Sequence, residues 1–248
     1  MQTIGDTVTY LRTVDSTNNY AMAQLHEGLA MHGDAIVAYD QTEGKGQRGK
    51  KWVSRPGENL ILSIIVEPNL ILSKQFALSM AVAISCLNTF KKYFNDEMAI
   101  KWPNDIYWND RKAGGILIEN IIREEEWNYA IIGIGLNINQ VIFDVEGVQP
   151  VSLKQLTGRN FDVNLIAKQL FAFLEMELKS LREYPENVFR RYNQSLYKKD
   201  QVVLLKHGSI ISRSTITGVS PWGELLTFSG MENRYKVGEV EWLAEPEP

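Results

Sequence analysis

Residues 42–52 read TEGKGQRGKKW, with three glycines (Gly44, Gly46, Gly49) and four cationic side chains (Lys45, Arg48, Lys50, Lys51). Glycines let backbone N–H groups approach a ligand closely, and nearby cations add charge-assisted bonds to phosphate or carboxylate. The chemistry this fits is anion binding; the plain alternative is a solvated hairpin loop with incidental charge. Two familiar patterns overlap here. Gly44-x-Gly46-x-x-Gly49 has dinucleotide-binding spacing, and Gly44-x-x-x-x-Gly49-Lys50 has most of a phosphate-binding loop, but Lys51 stands where a magnesium ligand should be. Both need a helix directly after the glycines. KKWVSRPGENL follows instead, and its Pro56-Gly57 marks a turn. A kinase-type glycine loop does lie between strands, yet no HRD or DFG segment follows it.

Three later segments bear on the same question. Lys101-Trp102-Pro103-Asn104-Asp105 reads by itself as an ordinary turn. Lys112 sits in RKAGGILIE, two residues before Gly114-Gly115, where a lone lysine is usually a solvated charge. Gly133-Ile134-Gly135-Leu136-Asn137 ends an apolar run with a polar side chain, which also fits a close-packed strand end. A protein nucleophile is missing from all of them. His26, His32 and His207 are scattered without zinc spacing, and no Ser-His-Asp or Cys-His set can be assembled. Cations, amides and a few carboxylates suit reactions in which substrates attack each other while the protein positions them and stabilises charge.

The elements that must hold these residues alternate in period. VTYLR (8–12), DAIVAYD (34–40) and NLILSIIVE (59–67) read as strands, and Ser16 as the N-cap of a helix to about His26. Ser73 is expected to cap a long helix carrying Phe76, Met80, Ile84, Leu87 and Phe90 at helical spacing, with Cys86 as a small buried hydrophobe inside it. AIKW, IYW, GGILIENIIR and NYAIIGIGLNIN are strands, with a turn at Asn109-Asp110. Leu165 to about Tyr184, and Glu186 to Tyr197, read as helices. From Lys199 the chain turns to short strands punctuated by His207-Gly208, Pro221-Trp222-Gly223, Ser229-Gly230 and Gly238, the texture of a small β-barrel. The expected architecture is α+β: a mixed β-sheet with packed helices over 1–198 and a barrel over 199–248.

Composition narrows the function classes. The 248 residues carry a net charge of −4, so any attraction for phosphate must be local. The barrel segment offers Lys199, Lys206, Arg213, Arg234 and Lys236 against Asp200 and six glutamates, including Glu245 and Glu247, and this is no nucleic-acid footprint. A lone cysteine fits a reducing, cytoplasmic compartment. MQTIGDTVTY has neither basic leader nor apolar core, so no signal peptide is expected, and LILSIIVEPNLIL is too interrupted to span a membrane.

In order and spacing the chain resembles the biotin protein ligases: Ser16-Thr17-Asn18, Gln41 with the basic glycine loop, KWPND, RKAGGILIE seven residues on at Lys112, and GIGLN. Any one of these is weak evidence, but five in succession are specific. The resemblance implies a class II synthetase-like catalytic domain with an SH3-like barrel. It implies activation of biotin with Mg-ATP to biotinyl-AMP and pyrophosphate, then transfer to a lysine of a biotin carboxyl carrier domain. By that pattern Ser16, Thr17, Asn18, Gln41, Gly44, Lys45, Gly46, Gln47, Arg48, Lys112, Gly114 and Gly115 bind biotin. Lys50, Trp52, Lys101, Asn104, Asp105 and Asn137 fall near ATP, with Asn137 beside the metal, and Lys112, Arg48 and Asp105 are the catalytic set. The loop is expected to be mobile when empty and to fold over the adenylate.

One departure concerns the loop. Gln47 stands where the family usually has arginine, so Arg48 is expected to take over the charge or one ionic contact is lost. Lys50 likewise replaces a common arginine and loses the bidentate fork. With Ser16 so near the start, no repressor helix-turn-helix is expected, and so no DNA partner. Monomer and homodimer are both left open. The related lipoate ligases, which share the fold and the adenylation chemistry, are the alternative enzymatic reading.

Overall fold

A computed structural model describes residues 2–94, 97–144, 147 and 149–243, whose strands form two sheets. The first contains β1 (Val8–Val14), β2 (Ala35–Gln41), β3 (Leu60–Val66), β4 (Met98–Lys101), β5 (Asp105–Trp108), β6 (Arg111–Arg123) and β7 (Glu126–Leu136). Their order is β1-β2-β3-β7-β6-β5-β4, with β1 and β2 parallel and the other pairs antiparallel. Helices α1 (Thr17–His26), α2 (Gln75–Lys91), α3 (Leu153–Thr157), α4 (Val163–Glu183) and α5 (Pro185–Gln194) complete this body. The second sheet is antiparallel: β8 (Val202–His207), β9 (Ile210–Val219), β10 (Leu225–Phe228), β11 (Glu232–Tyr235) and β12 (Val240–Leu243), ordered β11-β10-β9-β8-β12.

Side chains alternate across a strand, and that parity divides the large sheet. Leu60, Leu62, Ile64 and Val66 of β3 and Ile132, Ile134 and Leu136 of β7 join the main core with α2 and α4. Burying each such side chain contributes about 1.5–3 kcal/mol. The odd-numbered residues face the other way. Ile65 of β3 and Ile131 of β7 pack with Ala21 of α1. Further along the same face, apolar side chains give way to Ser63, Gly133 and Gly135. The sheet is thus filled on one side and left partly open on the other, beside α1.

Most elements stand where the periodicity puts them, and the exceptions have local causes. Ser73 is not the N-cap of α2: it lies in a 3-10 turn, Leu72–Lys74, that leads into the helix, and Lys74 takes the cap position. Ser16 does hold the N-cap position of α1, but its side chain makes no capping bond. The last helix stops at Gln194 rather than Tyr197 because the chain beyond it pairs with β4. There Ile100 N donates to Ser195 O at 2.8 Å and Tyr197 N to Ile100 O at 2.9 Å. Helix α3 was not anticipated, although Ser152-x-x-Gln155 forms a reciprocal capping box and Gly158 a left-handed stop. Helix α4 starts at Val163, with the Asp162 carboxylate accepting from Asn164 N and Leu165 N. The expected barrel segment runs to residue 248, and 244–248, with Glu245 and Glu247, lie outside the described residues.

Candidate functional site

A cleft opens on the odd-numbered face of the large sheet, with about 490 Å³ of empty space between α1, the glycine loop and the β5–β6 hairpin. Two cross-strand rows make its floor. One runs Ile61, Gly135, Gly115, Asp105 and the next Ser63, Gly133, Leu117. The glycines are required by what lies on them. A Cβ on Gly135 would stand 2.4 Å from the Trp52 indole, and one on Gly133 only 2.5 Å from Asn18 Oδ1.

At one end stands a buried polar cluster. Ser16, Thr17 and Asn18 are 2–3% exposed, and Ser63 is fully buried. The Gln41 side-chain oxygen accepts from Thr17 N (2.7 Å) and Thr17 Oγ1 (3.0 Å). Gln41 therefore caps α1 in place of Ser16, satisfying an orphan helix donor and leaving the Ser16 hydroxyl at the cleft. Ser63 Oγ lies 2.6 Å from Asn18 Oδ1 and 2.7 Å from Thr17 Oγ1.

At the other end Lys112 Nζ meets Asp105 Oδ1 at 2.7 Å, each side chain about a quarter exposed at 24% and 23%. Strand parity alone would send Lys112 and Gly115 to opposite faces. A register shift opposite Ile106/Tyr107, where Ala113 is the extra residue, brings both to the cleft. A Cβ on Gly115 would stand 3.3 Å from both Asp105 Oδ1 and Lys112 Nζ. Asn137 is 4% exposed and braces this turn: its N donates to Ala113 O at 2.8 Å and its Nδ2 to Lys112 O at 3.1 Å.

The glycine loop folds back as a small hairpin, with Gly46 N donating to Lys50 O (2.7 Å) and Trp52 N to Gly44 O (2.9 Å). Lys45, Gly46 and Gln47 face the cleft, and Lys45 Nζ reaches Glu119 Oε1 at 3.7 Å. No helix follows the glycines, as the Pro-Gly turn predicts.

Of the residues read from sequence, Ser16, Thr17, Asn18, Gln41, Lys45, Gly46, Gln47, Trp52, Asn104, Asp105, Lys112 and Gly115 line this one cleft. Six do not. Arg48, in left-handed backbone (φ 57), turns to the second sheet, where a Cβ on Gly238 would stand 2.9 Å from its guanidinium carbon. Of the two alternatives left open at the missing loop arginine, this arrangement agrees with one ionic contact fewer: Gln47 lines the cleft and Arg48 does not. Lys101 lies over the rings of Tyr107, Tyr197 and Trp242 at 4.6, 5.5 and 5.3 Å rather than in the cleft. Burial pushes its ammonium below the ordinary lysine range, against the opposing charge of Asp105. Asn137 serves as the brace already described. Gly114 packs on Leu136, Gly44 on Trp52 O and Gln41, and Lys50 closes the hairpin. The sequence reading missed Ile61 and Leu117, which strand parity and register bring to the cleft, and Ser63 and Glu119, which bond to its lining residues Thr17 and Asn18.

No group of three or more metal-ligating side chains occurs among the described residues. Asp105 is the carboxylate that lines the cleft. That donor set fits Mg²⁺ carried on a polyphosphate, which needs one or two protein carboxylates at most. Asn137 does not line this cleft, and the bond it gives Lys112 O uses its Nδ2, not the Oδ1 that an asparagine offers a metal.

A mixed sheet whose open face joins a cationic glycine loop to a buried amide and hydroxyl cluster makes a site for a small molecule with one polar and one anionic end. Comparison with known proteins agrees. Residues 10–137 match the Biotin/lipoate A/B protein ligase family, and the chain belongs to that family. It is 32% identical over 217 residues to the Bifunctional ligase/repressor BirA of Escherichia coli, covering 87% of this chain and 66% of that protein. It is 29% identical over 167 residues to a Biotin--[acetyl-CoA-carboxylase] ligase of Mycobacterium tuberculosis, covering 66% and 60%. The biotin protein ligase of Aquifex aeolicus, solved in complex with biotin and ATP, superposes with a TM-score of 0.82 at 23% identity, over 97% of this chain and all of that one. The chain spans 53–66% of the length of the first curated relatives it matches.

Proposed function

We propose that this protein activates biotin with ATP to biotinyl-5′-AMP and transfers biotin to a lysine of a biotin carboxyl carrier domain. The observation that carries this is the two-ended cleft: a buried Thr17–Asn18–Ser63 cluster bonded to the half-buried Gln41 at one end and the Lys112–Asp105 pair at the other. Biotin has the matching shape, a ureido ring with donors and an acceptor, an apolar middle and a terminal carboxylate. The amide and hydroxyl cluster suits the ureido ring, and the floor at Ile61 and Leu117 suits the apolar middle.

In the first step the biotin carboxylate oxygen attacks the α-phosphorus of ATP, and the bond to the bridging oxygen breaks to release pyrophosphate. The Lys112 ammonium, preorganised by Asp105, holds the carboxylate against the phosphate and stabilises charge that grows there. Trp52, flat against Gly135, offers an indole face to adenine, and Lys45 adds a cation from the loop. Mg²⁺ carried on the phosphates would supply charge neutralisation there, and Asp105 would be the cleft carboxylate to hold it. In the second step the acceptor lysine amine attacks the acyl carbon, AMP leaves, and the amine proton is lost. The cleft supplies no cysteine or histidine from its lining residues, consistent with direct transfer.

We read the chain as a catalytic domain over 1–198 and an SH3-like barrel over 199–248, the second sheet being the part of that barrel described. No described helix is long and apolar enough to cross a membrane. The reading assigns no DNA or membrane partner, a cytoplasmic location, and a monomer or homodimer. Calorimetric titration tests the ligand: biotin is expected to bind saturably and lipoate not to compete. Displacement of biotin by equimolar lipoate would move the assignment to the lipoate branch of the family.

A further inference from the structure

Glu119 lies on β6 behind the cleft, and the roles proposed above leave it unused. It touches two elements that do line the cleft. Asn18 Nδ2 on α1 donates to Glu119 Oε2 at 2.6 Å, and Lys45 Nζ on the glycine loop stands 3.7 Å from Glu119 Oε1. The Asn18 amide is then determined at both ends, since its Oδ1 lies 2.6 Å from Ser63 Oγ over the bare backbone of Gly133. A carboxylate only accepts hydrogen bonds, so it admits the nitrogen of that amide and rejects its oxygen. A side-chain amide in the same place accepts either end.

We infer that Glu119 is a positioning residue for biotin: it fixes the Asn18 amide in one orientation and draws the glycine loop over the cleft through Lys45. This rests on the reading of the cleft as a biotin site. Glu119 itself touches no reacting atom, so its loss should weaken capture of biotin rather than slow the chemistry once biotin is bound. Glu119 thereby couples the rigid end of the site to its loop. Strand β6 brings the two together, because Glu119 shares its face with Gly115 and Leu117.

The test is steady-state pyrophosphate release with biotin varied, for wild type, E119Q and E119D, with thermal unfolding of each. Hydrogen bonds to charged groups exceed neutral ones by enough to predict a biotin KM raised about ten-fold in E119Q, with kcat within about three-fold. E119D keeps the charge on a shorter arm and is expected to recover most of the loss. If E119Q does not fold, E119D carries the test, and its biotin KM should rise about two- to four-fold. Unchanged KM in the folded variants, or a fall in kcat at constant KM, would overturn the inference. Wild-type protein that releases no pyrophosphate with biotin would instead defeat the proposed function, whatever Glu119 does.

Discussion

Lys112 Nζ and Asp105 Oδ1 stand 2.7 Å apart on neighbouring strands, and the bulge at Ala113 is what lets them meet. The carboxylate holds the ammonium in place, and in the proposed mechanism that ammonium is the charge offered to the reacting carboxylate and phosphate. Lys112→Ala is therefore expected to lower adenylate formation about a hundred- to a thousand-fold, the scale for one preorganised charge stabiliser. Biotin-dependent pyrophosphate exchange measures it. Near-normal exchange would remove Lys112 from the mechanism.

Gly133 gives a steric prediction. A methyl group there would overlap Asn18 Oδ1 at 2.5 Å, and overpacking of this kind costs about 1–3 kcal/mol. Gly133→Ala should weaken biotin at least about ten-fold while ATP affinity changes little. Titration with each ligand separates the two, and an unchanged biotin affinity would show that Asn18 can move aside freely.

The loop prediction follows from the placement of Gln47 and Arg48. Gln47 lines the cleft, so Gln47→Gly should let the adenylate escape and label bystander lysines. Arg48 packs on Gly238, so Arg48→Gly should mainly free the loop. Digestion of unliganded protein with a non-specific protease should then cut residues 44–51 several-fold faster, and biotin with ATP should protect the wild type. Equal cutting of Arg48→Gly and wild type would show that the contact restrains nothing.

Lys101 supplies a pH signature. Burial lowers its folded pKa from the ordinary 10.5, first against Asp105 and then with help from Lys112. In the window below 10.5 the unfolded chain then binds more protons than the folded one, so stability from this group rises with pH. The Tyr107, Tyr197 and Trp242 rings oppose this by favouring the cation. Urea midpoints over a pH series should show wild type gaining on Lys101→Met as pH climbs toward 10.5. Wild type losing ground to Lys101→Met over that window would mean that the rings outweigh burial.

How much of this was legible beforehand differs by kind of residue. Strands and long helices follow from period-2 and helical spacing, and motif order alone gathers Thr17, Gln41, Trp52, Asp105 and Lys112 into one site. Glu119 and Ser63 were not legible, because each is an ordinary polar residue within a strand and only register across β3, β7 and β6 turns it toward α1. Which of Gln47 and Arg48 faces the cleft was not legible, because charge and position in a loop do not say which way a left-handed residue sends its side chain. Motif order does not show that Lys101 sits among aromatic rings or that Asn137 braces Lys112 O, because both partners come from tertiary packing.

Pyrophosphate release from ATP, measured with biotin, with lipoate and with neither, bears most directly on the central claim. The account predicts release with biotin alone, loss of that signal in Lys112→Ala, and a product with the mass of biotinyl-AMP. Release that is equal with lipoate, or that needs neither acid, would contradict it.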